Sequence, residues 1–178
     1  MKTLIATLAV LAFAVPAAFA AGGASAASPA QACKTELKTM GAADFKALYA
    51  PGAKNTNAMG KCVSKHQKAA AANTANAAKT CKAEQDMKEA DFRAAHDGKS
   101  FAEVYGKNAN DKNAYGKCVS AKASAASAQQ ESATMKASKA CKTERGSTTE
   151  SRAAFTAKYG GKASSAFGKC VSAKSKTQ

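Results

Sequence analysis

The pentapeptide Gly60-Lys61-Cys62-Val63-Ser64 returns as Gly116-Lys117-Cys118-Val119-Ser120 and again as Gly168-Lys169-Cys170-Val171-Ser172. Each copy follows an alanine and then methionine or an aromatic residue: Ala58-Met59, Ala114-Tyr115 and Ala166-Phe167. Five identical residues in three places make this chain an array of three repeats. Units this short bury too little surface for one large core and need staples. Every unit also opens alike, at Cys33-Lys34-Thr35-Glu36, Cys81-Lys82-Ala83-Glu84 and Cys141-Lys142-Thr143-Glu144. Between opening and closing signals lies an aromatic pair four residues apart: Phe45 and Tyr49, Phe101 and Tyr105, Phe155 and Tyr159. Residues at that spacing share one face of a helix. Beyond residue 20, Phe92 alone among the aromatics falls outside a repeat position, so the aromatics read as core.

Helix ends can be placed from capping chemistry. Ser100 with Glu103, and Ser147 with Glu150, have capping-box spacing. Gly106 and Gly160 stand where a helix C-terminus accepts a left-handed residue, and Pro51-Gly52 stops the first unit. Asn57, Asn113 and Ser165 align as N-caps of a closing helix. Each unit is therefore expected to be a helical hairpin. A first helix starts at the opening cysteine, then come a short aromatic helix, a polar loop and a closing helix. The apolar set of repeat 1 is Leu37, Met40, Phe45, Leu48, Tyr49, Met59 and Val63. An insertion over residues 91–99 is expected to lengthen the first helix of repeat 2 through Phe92, and Gly146 interrupts that of repeat 3. The fold class is all-α, with repeats at 32–65, 80–121 and 140–174, bridges at 66–79 and 122–139, and a tail at 175–178.

Six cysteines, one at each end of each unit, imply disulfides in an oxidising compartment. Repeat symmetry selects Cys33–Cys62, Cys81–Cys118 and Cys141–Cys170. The competing symmetric scheme joins Cys62 to Cys81, Cys118 to Cys141 and Cys33 to Cys170. The bridges contain no glycine or proline and are rich in alanine, the best helix former. They are expected to be helical, with flexible linkers as the alternative, since neither has a sustained apolar stripe. A continuous first bridge places Lys61, Lys65, Lys68, Lys79 and Lys82 on one face, because eighteen residues make five turns. Those lysines, with the recurrent Lys117 and Lys169, are candidate anion contacts. Lys61, Lys117 and Lys169 could equally cap a carbonyl or pair with the recurrent glutamate of their own unit.

Residues 1–20 read as a secretory leader: Lys2, an apolar run from Leu4 to Val15, Pro16, and an Ala18-Phe19-Ala20 cleavage site. A second such site, Ala24-Ser25-Ala26, follows within a segment, 21–31, expected to be flexible. The apolar run is too short to span a bilayer, which takes about 20 residues. The protein is thus expected outside the cell or in its envelope. It carries 27 Lys and Arg against 12 Asp and Glu, a formal net charge of +15. Such a balance favours anionic envelope polymers or surfaces, and nucleic acid only without sequence preference.

Catalytic and cofactor signatures are not evident. Cys62 and His66 have a spacing that suits zinc on a helix, but Lys122 and Lys174 stand at the matching places of the other repeats, so no metal site is expected. The Gly-Lys pairs lack the glycine five residues earlier that a phosphate loop needs. Glu36, Glu84 and Glu144 read as carboxylates in a helix's first turn, favoured there by the macrodipole.

The segments Phe101–Gly106, Phe155–Gly160 and Ala166–Ser172 resemble repeats of uncharacterised exported bacterial proteins built from F-x-x-x-Y-G and A-F-G-K-C-V-S units. The resemblance covers residues 33–172 and departs from the pattern at Ala50 and Met59. It implies export and repetition, and no activity. The expected function is a non-enzymatic binding or envelope-associated module with weak, multivalent affinity for anionic partners. A cationic, membrane-active protein is the alternative.

Overall fold

A computed structural model describes residues 27–52, 56–106 and 112–177; the expected leader and both cleavage sites lie outside them. The described residues form helices and no strands: α1 (Pro29–Met40), α2 (Ala42–Tyr49), α3 (Ala58–Gln85), α4 (Glu89–Ala95), α5 (Phe101–Tyr105), α6 (Ala114–Arg145), α7 (Thr149–Tyr159) and α8 (Ala163–Lys174). Disulfides join Cys33 to Cys62, Cys81 to Cys118 and Cys141 to Cys170, closing spans of 29, 37 and 29 residues. This is the pairing that repeat symmetry selects, one staple within each unit.

Both bridges are helical, and each belongs to a longer helix. The closing helix of repeat 1 runs without a break into the opening helix of repeat 2, as the 28 residues of α3. Repeats 2 and 3 are joined in the same way by the 32 residues of α6. These two helices lie antiparallel along one another. Cys81 meets Cys118 near one end, Asn73 Nδ2 donates to Ser127 Oγ at 3.1 Å midway, and the C-terminal Arg145 of α6 reaches repeat 1 at the other end. Isolated Ala/Lys helices of this length are marginal in water, and mutual packing supplies what the missing apolar stripe could not. Small residues on the contact face, such as Ala77 between Asn73 and Cys81, let the backbones approach closely.

The antiparallel pair acts as a stalk. Repeats 1 and 3 dock together at one end, and repeat 2 caps the other. Leu37, Met40, Phe45, Leu48, Tyr49, Met59 and Val63 pack with Cys33, Ala50, Ala58 and Cys62 as the core of repeat 1. In repeat 3, Ala137, Phe155, Ala166, Phe167 and Val171 surround the Cys141–Cys170 pair, and Ala47 and Leu48 of repeat 1 pack onto them. The two units thus share a core, and α2 lies on α8. The glycine of the third G-K-C-V-S copy makes this approach possible: a Cβ on Gly168 would stand 3.0 Å from the Ala47 carbonyl oxygen. Repeat 2 is built around a different aromatic set among its described residues. Phe92 is buried there, stacked on His96 at 4.1 Å and edge-on to Phe101 at 5.5 Å.

Several local expectations are corrected. The first helix of a unit does not start at its opening cysteine. In repeat 1 it starts at Pro29, where Ser28 and Gln31 form a capping box, so residues 29–31 of the expected flexible segment are helical. In repeats 2 and 3, Cys81 and Cys141 lie near the C-terminal ends of the long helices. The insertion in repeat 2 forms the separate helix α4, because the chain turns at residues 86–88 and again through Asp97 and Gly98, both at positive φ. Asn57 caps α3, accepting from the Gly60 N–H, but Asn113 makes no side-chain cap and Ser165 lies inside α8. The Ser100–Glu103 box forms as expected. The other expected box does not, because Thr148 is the cap of α7 and accepts from Ser151 instead. Gly160 takes a left-handed φ of 67°, whereas Gly106 has a right-handed φ of −67°.

Candidate functional site

One side-chain constellation occurs beside every disulfide. The glutamate three residues after the opening cysteine accepts a hydrogen bond from the tyrosine of the aromatic pair, and it meets a side-chain nitrogen, that of His66, Lys122 or Lys174, four residues after the closing cysteine. In repeat 1, Tyr49 Oη donates to Glu36 Oε2, and His66 Nε2 lies 3.0 Å from Glu36 Oε1. In repeat 2, Tyr105 Oη donates to Glu84 at 3.0 Å, and Lys122 Nζ lies 2.9 Å from the same carboxylate. In repeat 3, Tyr159 Oη donates to both oxygens of Glu144, and Lys174 Nζ is 3.1 Å away, with Lys158 as a further partner. A disulfide sulfur lies 3.8 Å from the carboxylate in repeats 1 and 2.

The helices explain why this set is needed. All three glutamates lie toward the C-terminal ends of their helices, not in first turns as expected, because the helices begin far upstream. There the macrodipole disfavours a negative charge. Glu36 is moreover fully buried. An unpaired buried carboxylate would cost several kcal/mol; the Tyr49 hydroxyl and the His66 ring nitrogen supply what the backbone does not. Burial, with the Glu36 charge and hydrogen bond beside it, pushes the Tyr49 hydroxyl far above its ordinary range. Burial likewise raises Tyr105. Lys122 is opposed by burial, yet its bond to Glu84 and the nearby Tyr105 leave its pKa above the usual value. The Lys158 ammonium, aided by Lys174 and Tyr159, lowers Glu144 to about 2. The set therefore fastens the two ends of each hairpin around the staple.

The spacing signal was present in the sequence. His66, Lys122 and Lys174 occupy one repeat position, and comparing them as zinc ligands hides that each places a nitrogen beside the glutamate of its own repeat. His66 stands beside the Glu36 carboxylate, whose other oxygen accepts from Tyr49. Two surface concavities are lined by other residues, one by Arg152, Thr156 and Gly161 between α7 and α8, the other by Asn57, Lys61, Ser64, Lys65 and Lys68 at the start of α3.

The candidate anion contacts divide into two groups. Lys61, Lys65, Lys68, Lys79 and Lys82 lie along one unbroken helix and are exposed. From Lys61 to Lys82 the helical rise gives a basic face about 30 Å long. Lys65 Nζ sits 5.5 Å above the Tyr49 ring, and Lys82 pairs with Asp86 at 2.6 Å. Lys117 instead turns inward, donating to the Gly106 carbonyl at 2.6 Å, which is the carbonyl-capping role. Lys169 folds over the Gly160-Gly161 turn, its Nζ 3.2 Å from where a Gly161 Cβ would be. Among the described residues no helix is long and apolar enough to cross a membrane. No family model, curated protein or solved structure matches the chain.

Proposed function

We propose that the protein is an exported, non-enzymatic module that binds anionic envelope polymers through the lysine face of α3. Three disulfides suit an oxidising compartment outside the cytosol. The observation that carries the reading is the continuity of α3. One helix holds Lys61, Lys65, Lys68, Lys79 and Lys82 in fixed phase, so a linear polyanion can meet several charges at once. Lys117, Lys122, Lys158 and Lys174 serve internal carbonyls or carboxylates and so contribute less to such a surface. The surface at the start of α3, with Lys61, Lys65 and Lys68 around Ser64, is its densest part.

Retention on an anionic polysaccharide resin tests this. Changing the five α3 lysines to glutamine should flatten the salt dependence of retention, since each phosphate-like contact contributes to the log–log slope. A control changes five exposed lysines elsewhere, Lys38, Lys136, Lys139, Lys142 and Lys162. Equal losses in the two variants would show that net charge alone is at work and would sink the assignment to α3.

A further inference from the structure

We propose that reduction of the Cys33–Cys62 disulfide turns repeat 1 into a zinc site made of both thiolates, His66 and Glu36. Both sulfurs and a His66 ring nitrogen lie within 4.8 Å of one another. Glu36 Oε1 is 3.0 Å from His66 Nε2, and Glu36 Oε2 is 3.8 Å from Cys62 Sγ. A tetrahedral zinc ion has bonds of about 2.3 Å to sulfur and about 2.0–2.2 Å to nitrogen and oxygen, so its ligand atoms are about 3.3–3.8 Å apart. The donors of repeat 1 already approach those separations, and the bonded sulfur pair is the one that has to part. Tyr49 Oη donates to Glu36 and would orient it, as outer partners of metal ligands do. The cysteines and Glu36 are fully buried, while the His66 side chain is 19% exposed and offers the way in.

The chemistry balances with an external dithiol as the reductant. A dithiol gives two electrons and two protons to the Cys33–Cys62 bond, leaving two thiols and its own disulfide. Zinc then displaces both thiol protons and takes over the link between α1 and α3. A newly made chain is in the same state before its disulfides close. Repeats 2 and 3 carry Lys122 and Lys174 where repeat 1 has His66, so an ammonium, which cannot ligate, fills that place. The site thus belongs to repeat 1 alone.

The test uses the full chain, reduced with a phosphine under nitrogen and titrated with Co²⁺ and then Zn²⁺. The expected result is about one tight equivalent of Co²⁺ with tetrahedral d–d bands and a thiolate charge-transfer band, displaced by Zn²⁺. His66→Lys copies the residue of the other two repeats, and an unchanged circular dichroism spectrum in the oxidised form establishes that it folds. It should bind at least about 100-fold more weakly. Zn²⁺ should also restore helicity lost on reduction in the wild type and not in the variant. A reduced wild type with no tight equivalent, or a lysine variant that binds as the wild type does, would overturn the proposal.

Discussion

Arg145 and Asp44, 101 residues apart in the chain, form a two-pronged ion pair that fastens repeat 3 to repeat 1. The second prong, Nη2 to Oδ2, is 3.0 Å long. Asp44 is buried, and the Arg145 guanidinium also covers the Phe167 ring at 5.0 Å. Removing one partner leaves an uncompensated charge in the interface. Arg145→Ala should therefore destabilise the protein by about 3–5 kcal/mol, whereas Asp44→Asn combined with Arg145→Met should cost markedly less. Denaturant unfolding of both variants checks this, and equal costs would contradict it.

Glu144 gives the acid limb of stability a definite place. Its folded pKa is about 2, below the ordinary carboxylate value of 4.5. Because the folded value is depressed, the associated stability is fully present above about pH 4.5 and disappears as pH falls through about 2. Glu144→Gln removes this linkage. Stability measured against pH should have a shallower slope in the variant between those limits, and parallel curves would show that Lys158 and Lys174 do not act on this carboxylate.

Gly116 and Gly168 occupy the same repeat position but should respond in opposite ways to alanine. A Cβ on Gly168 would meet the backbone of Ala47 at 3.0 Å and of Leu48 at 3.4 Å, neither of which can swing aside. Gly168→Ala should cost about 1–3 kcal/mol by overpacking. Gly116 has nothing within 4 Å, so Gly116→Ala should gain up to about 1 kcal/mol of helix propensity. Thermal melts of the two variants should move in opposite directions.

Ser138 Oγ is buried in α6 with no hydrogen-bond partner among the described residues. Replacing it with alanine removes an unsatisfied hydroxyl at little loss of volume, so Ser138→Ala should raise stability by about 1 kcal/mol. A loss of stability would mean that the hydroxyl is satisfied in solution.

The arrangement of the fold was legible where symmetry constrained it. Three copies of one cysteine pattern sufficed to pair all six, and the periodicity of repeat 1 identified Leu37, Met40, Phe45 and Val63 as core. Two things lay beyond local pattern. The opening cysteines of repeats 2 and 3 fall at helix ends because the helix starts in the preceding unit, and nothing around Cys81 or Cys141 signals that continuity except the missing breakers. The embrace of α3 and α6 was hidden for a different reason. Small residues such as Ala77 bury little area each, so no apolar stripe marks the contact; the Cys81–Cys118 disulfide at one end and the packing of Leu48 onto the core of repeat 3 at the other hold the helices side by side. In the site, the tyrosine–glutamate pairing was encoded in spacing, but the equivalence of His66 with Lys122 and Lys174 appears only when the three are compared as nitrogen partners of a carboxylate.

Antiparallel α3 and α6 also fix how many units the chain can hold. An open solenoid grows by adding repeats at its ends, whereas here the first and last units occupy each other's docking faces. A fourth unit would find Phe167 and Leu48 already covered. The two long helices are likewise tied at both ends, by Cys81–Cys118 and by Arg145–Asp44, so trimming one alone would pull Arg145 away from Asp44. Insertions and deletions in the bridges are therefore tolerable only in compensating pairs, one in each helix.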